Sequence, residues 1–313
     1  MGLEEGSRQV LRSCLNLQEN EKVLILADTT RDAVGVALFE AASEMGADPV
    51  LAMITPRPRP HADPPWHLGR VMEDCDVIIL ATSLSMTHSR ARRAASRAGA
   101  RVVSLPAVTE DMLSEGALTA DHLEIQQVMH KLGRRVRGSR SVRITTGAGT
   151  DLTLDVRGRD WVTQDTGLCR NAGDVATLPA GEMFVVPVED RSEGRLVIDV
   201  SFAEALGTAA TVMVKGGVAS AIVGAQAAVL EMNRGGKEGR VLAKFGIGLN
   251  PKARLTGPGS ESGKALGGAN LAFGDNVAFG GKNRCGVRVD AVIREPSVEV
   301  DGRLLVERGR FVV

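Results

Sequence analysis

Apolar residues recur in two different rhythms along this chain. Over roughly the first 130 residues, short continuous apolar runs alternate with segments of helical period. Residues 22–27 (KVLILA), 49–54, 76–81 (DVIILA) and 101–104 are runs of the kind a parallel strand needs when it is buried on both faces. Between them, 33–46 has helical spacing and stops on Gly46, 71–75 closes a short helix, and 89–98 is an arginine-rich helix. Residues 3–15 and 111–137 carry the helical pattern on either side. This alternation predicts an open parallel sheet with helices on both faces. Ligands in such sheets sit at the carboxyl ends of the strands, which nominates the loops 28–31 and 83–90.

From Ser139 onward the period drops to two. Residues 141–159 alternate around a glycine turn, and 181–188 and 194–200 read as strands. Residues 211–214 and 218–222 flank the turn Lys215-Gly216-Gly217, 225–232 is a helix, and Asp301-Gly302 is a two-residue turn between two further strands. The predicted architecture is an α/β N-terminal domain with an open parallel sheet, residues 1–138, and a strand-rich α+β C-terminal domain, residues 139–313. The stretch 243–290 stands out within the second domain. It is rich in glycine and carries Lys244, Asn250, Lys252, Glu261, Lys264, Asn270, Asp275, Asn276, Arg288 and Asp290 at short spacing. Hairpins with glycine turns explain many of the glycines, whereas the polar side chains point to backbone running close to a ligand.

Composition narrows the function classes. The 313 residues carry 38 basic and 38 acidic side chains, so the chain lacks the basic excess of a general nucleic-acid binder. Tyrosine is absent and aromatics are 3%, which disfavours stacking platforms for bases. No apolar run reaches the roughly 18 residues of a membrane span. Cys14, Cys75, Cys169 and Cys285 are far apart and read as reduced cytosolic thiols. The amphipathic N-terminus does not read as a signal peptide, so a cytoplasmic location is expected. With no GxGxxG or Walker pattern, neither a dinucleotide nor a nucleoside triphosphate is expected.

Several strings, in order, carry a resemblance that spans the chain. They are Thr87-His88-Ser89-Arg90-Ala91-Arg92, Leu178-Pro179-Ala180-Gly181-Glu182 with Val197-Ile198-Asp199, and Gly246-Ile247-Gly248-Leu249-Asn250-Pro251. Lys264-Ala265-Leu266-Gly267, Phe273-Gly274-Asp275-Asn276 and Val300-Asp301-Gly302 complete the set. Together they resemble the aminopeptidase T family of metallopeptidases and its ring-cleaving relatives, the 2,5-dihydroxypyridine dioxygenases. The resemblance implies that Glu182 is the family's retained glutamate and Asp290 the retained aspartate of a late His-x-Asp pair. It also implies substitutions. Lys244 and Ile247 stand in the segment where a carboxylate is expected, Asn270 and Arg288 stand where histidines are expected, and Val277 stands at the catalytic tyrosine. In the dioxygenase branch iron is held by two histidines and an aspartate, and these positions carry Lys244, Arg288 and Asp290.

Lysine and arginine repel a divalent ion and have no acceptor to offer it. The expectation is therefore a site without metal or other cofactor, with a rearranged divalent-metal site kept open. Within it, Arg288 would clamp a carboxylate with its planar fork and Lys244 would polarise an oxyanion. The expected function is an aminopeptidase T-like enzyme that hydrolyses or ring-opens a small anionic or carbonyl-bearing molecule in a cleft between the domains. His88, Lys244 and Asp290 are the expected catalytic residues, with His88 suited to acid–base work near neutrality. Arg288, Glu182, Asn270 and Arg90 are the expected substrate-binding residues. The competing reading makes Lys244 and Arg288 internal counter-ions in an inactive scaffold or binding protein. The expected partner is a small molecule, with no nucleic acid and no membrane, in a homo-oligomer. His61, His67, His122 and His130 read as solvated.

Overall fold

The computed structural model describes residues 2–255 and 261–312, so part of the glycine-rich stretch (256–260) lies outside the described residues. The chain forms two compact units, Met1–Ile125 with Thr166–Ala180, and Gln126–Asp165 with Gly181–Val313.

The first unit is built on a five-stranded parallel sheet. Its order is Asp48–Ile54, Lys22–Asp28, Val77–Ala81, Arg101–Ser104 and Val175–Thr177. Lys22–Asp28 pairs in parallel with both neighbours, Leu24 lying opposite Val50 and Ile78. Its apolar run is continuous because both faces are covered. Val23, Ile25 and Ala27 enter one core cluster with Val34, Leu38 and Leu113, while Leu24 and Leu26 enter a second with Met72, Ile78 and Ala95. The arginine-rich helix Arg90–Ala98 starts where Ser89 caps it, its hydroxyl accepting from the Arg92 amide. It ends at Gly99, whose φ of 111° a side chain would resist.

His122 departs from the sequence expectation. It opens the helix His122–Val136 yet is fully buried, with Nδ1 2.8 Å from the Thr166 carbonyl oxygen. The helical period showed only the helix's own faces. The cover comes from a segment more than 40 residues downstream, where Gly167 leaves space that a Cβ, 2.4 Å from Nδ1, would fill.

The second unit carries two antiparallel sheets. The eight-stranded one runs in the order Val218–Val223, Ala210–Lys215, Glu193–Ile198, Asp151–Asp155, Ser141–Thr145, Ser297–Val300, Arg303–Glu307 and Arg310–Phe311. Asp301-Gly302 turns one of its hairpins with both residues at positive φ, as a two-residue hairpin turn requires. The seven-stranded sheet has the order Glu204–Ala205, Ser201–Phe202, Arg288–Arg294, Gly268–Gly274, Leu242–Gly248, Glu182–Val185 and Val162–Asp165.

The two faces of this second sheet differ in chemistry. Met183, Val185, Phe245, Ile247, Ala269, Leu271, Phe273, Val289, Ala291 and Ile293 are all buried and share one face. The pairings Glu182 with Gly248 and Asp165, Gly246 with Phe184 and Asn270, Lys244 with Ala272, and Ala272 with Asp290 put the polar residues on the other face.

Candidate functional site

The polar face is organised around one carboxylate. Glu182 begins its strand, is 1% exposed, and has both oxygens committed. Lys244 Nζ lies 2.5 Å from Oε1 and Lys264 Nζ lies 2.8 Å from Oε2. Asn270 Nδ2 donates to Oε1 at 2.7 Å and to the Gly263 carbonyl at 2.7 Å. Lys264 continues the chain to Asp165 Oδ2 at 2.6 Å. Two ammonium groups therefore face two carboxylates in a partly to fully buried line.

Space for this arrangement comes from a missing side chain. A Cβ on Gly246 would stand 1.9 Å from Glu182 Oε1 and 3.1 Å from Asn270 Nδ2. Glycine here is a packing requirement on the middle strand, since the carboxylate lies across its backbone.

Burial pushes the Glu182 carboxyl up, but Lys244 and Lys264 outweigh it and hold the pKa at about 2, against an ordinary 4.5. For Lys264, burial pushes downward and Asp165 with Glu182 outweigh it, so its pKa lies above the usual lysine value. Because the folded Glu182 pKa is depressed, its contribution to stability is complete above about pH 4.5. That contribution is lost as pH falls toward about 2. Guanidinium denaturation midpoints measured from about pH 6 down to about pH 2 should fall in the wild type, with a shallower fall in Glu182→Gln.

Lys244 also meets aromatic faces. Its Nζ is 4.8 Å from the Phe184 ring centroid and 5.8 Å from that of Phe279. The two rings meet edge to face at 5.2 Å. The Arg288 guanidinium lies over Phe279 at 5.2 Å. Arg288 and Asp290, two apart on one strand, form a loose pair at 3.4 Å with side chains 44% and 51% exposed. Lys244, Phe184, Phe279, Arg288 and Asp290 thus form a connected set, with Glu182, Lys264, Asp165 and Asn270 behind it.

Lys264, Asp165, Phe184 and Phe279 had not been singled out as site residues. Lys264 lies in one of the strings that carry the family resemblance, so a signal for it existed. Asp165 had none, because its place opposite Glu182 depends on an antiparallel pairing of distant segments.

His88 and Arg90 lie in the first unit. His88 is exposed, its ring 4.8 Å from that of His61. Partial burial first, then the charges of His61, Arg92 and Arg93, hold its pKa below the usual histidine range. Arg90 points outward, its side chain 90% exposed and paired with Asp63 at 2.9 Å. The two loops nominated at the strand ends do meet. Asp28 accepts from the Thr30 amide and hydroxyl through Oδ1, and from the Ser83 amide and hydroxyl through Oδ2.

Among the described residues, no three or more His, Cys, Asp or Glu side chains gather as a metal-holding group. No helix in the described residues is long and apolar enough to cross a membrane.

A family model described as NicX, 2,5-dihydroxypyridine 5,6-dioxygenase, matches residues 3–313. Among solved structures, the 2,5-dihydroxypyridine dioxygenase from Pseudomonas putida KT2440 is similar with a TM-score of 0.78 and 20% identity, over 99% of this chain and 97% of that one. Wild-type AmpT from Thermus thermophilus is similar with a TM-score of 0.66 and 19% identity, over 99% of each chain. At these identities the two structures speak for the fold, an α/β unit with a parallel sheet and a strand-rich antiparallel unit. No curated protein sequence matches.

Proposed function

Because this chain belongs to the 2,5-dihydroxypyridine 5,6-dioxygenase family, within the superfamily that includes aminopeptidase T, we propose that it is an enzyme acting on a small anionic or carbonyl-bearing molecule without a divalent ion at Glu182. The observation that carries this reading is the double ammonium clamp on Glu182. A divalent cation needs free carboxylate lone pairs. Here Lys244, Lys264 and Asn270 take three of the roughly four acceptor sites, and two positive charges already stand within hydrogen-bond distance. The residues present do not fit a metal at this carboxylate, so no step is assigned to one.

The chemistry left to these side chains is charge stabilisation. Lys244 would donate to a carbonyl oxygen as negative charge develops there, with Phe184 and Phe279 screening it from water. Arg288 would take a substrate carboxylate in exchange for Asp290. That exchange is cheap, since an exposed ion pair is worth about 0–1 kcal/mol. Glu182 cannot exchange in the same way, because breaking a buried pair costs about 3–5 kcal/mol. It therefore acts as the fixed counter-charge that holds Lys244. Attack by water on the polarised carbonyl, a hydrolysis or hydrolytic ring opening, is the reaction class this set suits. His88 lies in the first unit, its pKa held below the usual histidine range, and carries no step of this chemistry.

The test is turnover on a panel of small aromatic and aliphatic esters, amides and lactones bearing a carboxylate, with and without chelator. Turnover should survive chelation. Arg288→Ala should raise KM about tenfold to a hundredfold, the worth of a charge-assisted pair. Lys244→Gln should lower kcat about a hundredfold or more. Turnover abolished by chelator and restored by iron or zinc would overturn the reading.

One observation favours a second reading, a scaffold or binding protein. Lys244 and Lys264 are matched by Glu182 and Asp165, so the buried charges satisfy one another. In that case no member of the panel is turned over, and Lys244→Gln changes stability alone.

A further inference from the structure

The first unit holds a cavity that shares no residue with the Glu182 cluster. A cavity of about 490 Å³ opens beside the loop after the Asp48–Ile54 strand, lined by Arg57, Arg59, Asp63, Trp66 and Arg90 among others. A volume of that size accommodates a small organic molecule. Three guanidinium groups and one carboxylate line it, which leaves two positive charges in excess. Among the described residues Arg57 and Arg59 make no ion pair, and Arg57 Nε is buried with no hydrogen-bond partner. Arg57 and Arg59 line the cavity with charges that no carboxylate pairs, and a bound oxyanion would supply that partner.

Asp63 pairs with one of the three guanidinium groups. Its carboxylate accepts from Arg90 Nε at 2.9 Å and from the Ala91 amide at 3.0 Å, at the start of the Arg90–Ala98 helix. Trp66 supplies a different chemistry. It is 84% exposed, a large aromatic surface left in water at the rim of a cationic cavity. A planar ring stacked on that indole, with an oxyanion reaching Arg57 and Arg59, uses both features at once.

We propose that this cavity binds a small anion carrying a planar ring, an aromatic carboxylate or an aryl or nucleoside phosphate. Both sources share the flat ring and the oxyanion that arginine grips with two parallel hydrogen bonds. The site lies wholly within the parallel-sheet unit and, apart from Arg90, which the sequence nominated for substrate binding, uses none of the residues named for the reaction above.

Tryptophan emission reads this directly. The chain has two tryptophans, and the other, Trp161, is buried with its indole N–H donating to Ser139. Full-length protein is titrated with benzoate, adenosine monophosphate, neutral adenosine and inorganic phosphate. The proposal expects a saturable change in the exposed-tryptophan emission with benzoate or adenosine monophosphate, and which of the two binds more tightly identifies the source. Phosphate should compete without changing the emission, and adenosine should bind at least about tenfold more weakly than its phosphate. The double variant Arg57→Ala with Arg59→Ala should weaken binding by about tenfold or more while the Trp161 emission and the thermal midpoint stay in place. No saturable change with either aromatic anion overturns the proposal. So does equal affinity in the double variant, or a Trp66 emission that is already blue-shifted because a second copy of the chain covers it.

Discussion

Replacing Glu182 with alanine should destabilise the strand-rich unit by about 3–5 kcal/mol, the cost of breaking a buried ion pair by removing one partner. The loss is large because Glu182 holds two cations. Lys264 would keep Asp165, but Lys244, with a side chain 10% exposed, would keep only the Phe184 and Phe279 faces. Asn270 would lose the acceptor of one of its two hydrogen bonds. Glu182→Gln separates charge from volume, since it keeps the shape and removes the negative charge between two ammonium groups. Guanidinium denaturation of both variants should show a lower midpoint than the wild type, with alanine the lower of the two. If alanine lies within about 1 kcal/mol of wild type, the cluster contributes little to the fold.

Gly246→Ala should come close to that effect with no change of charge. Its methyl would stand 1.9 Å from Glu182 Oε1, inside any real contact distance. A carboxylate is usually the mobile end of a side chain and can step aside. This one is held by Lys244, Lys264 and Asn270, so moving it breaks the clamp. Overpacking costs about 1–3 kcal/mol, and the displaced ion pairs add to that. Gly147→Ala is the control, since nothing lies within 4 Å of a Cβ at that position and the change should stay within about 0.5 kcal/mol. A Gly246→Ala protein as stable as the control would mean that Glu182 is free to move.

Much of the architecture could be read from the chain because the sheet faces dictate the residues. A strand covered on both sides must be apolar throughout, so Lys22–Asp28 and Val77–Ala81 were visible as runs. Val175–Thr177 was not, because three residues show no period and its pairing with Arg101–Ser104 joins segments some 70 apart. In the site, Lys244, Glu182 and Asn270 do come together, and Arg288 stands beside Asp290 as their two-residue spacing requires. The partners that lock the cluster were harder to see. Asp165 reaches Lys264 only after Val162–Asp165 pairs with Glu182–Val185. Phe279 comes from a single turn, Val277–Phe279, that carries no periodic signal. His122 looked solvated because helical spacing says nothing about a strap that arrives later in the chain.

The central claim is that Lys244 and Lys264 hold Glu182 where a divalent ion would need it. Elemental analysis of protein purified without chelator tests this most directly, run beside Lys244→His with Arg288→His. The wild type should carry far less than one equivalent of iron, zinc, manganese or cobalt, and the double variant should gain metal that Glu182→Ala or Asp290→Ala removes. Near-stoichiometric metal in the wild type, lost on Asp290→Ala, would contradict the account.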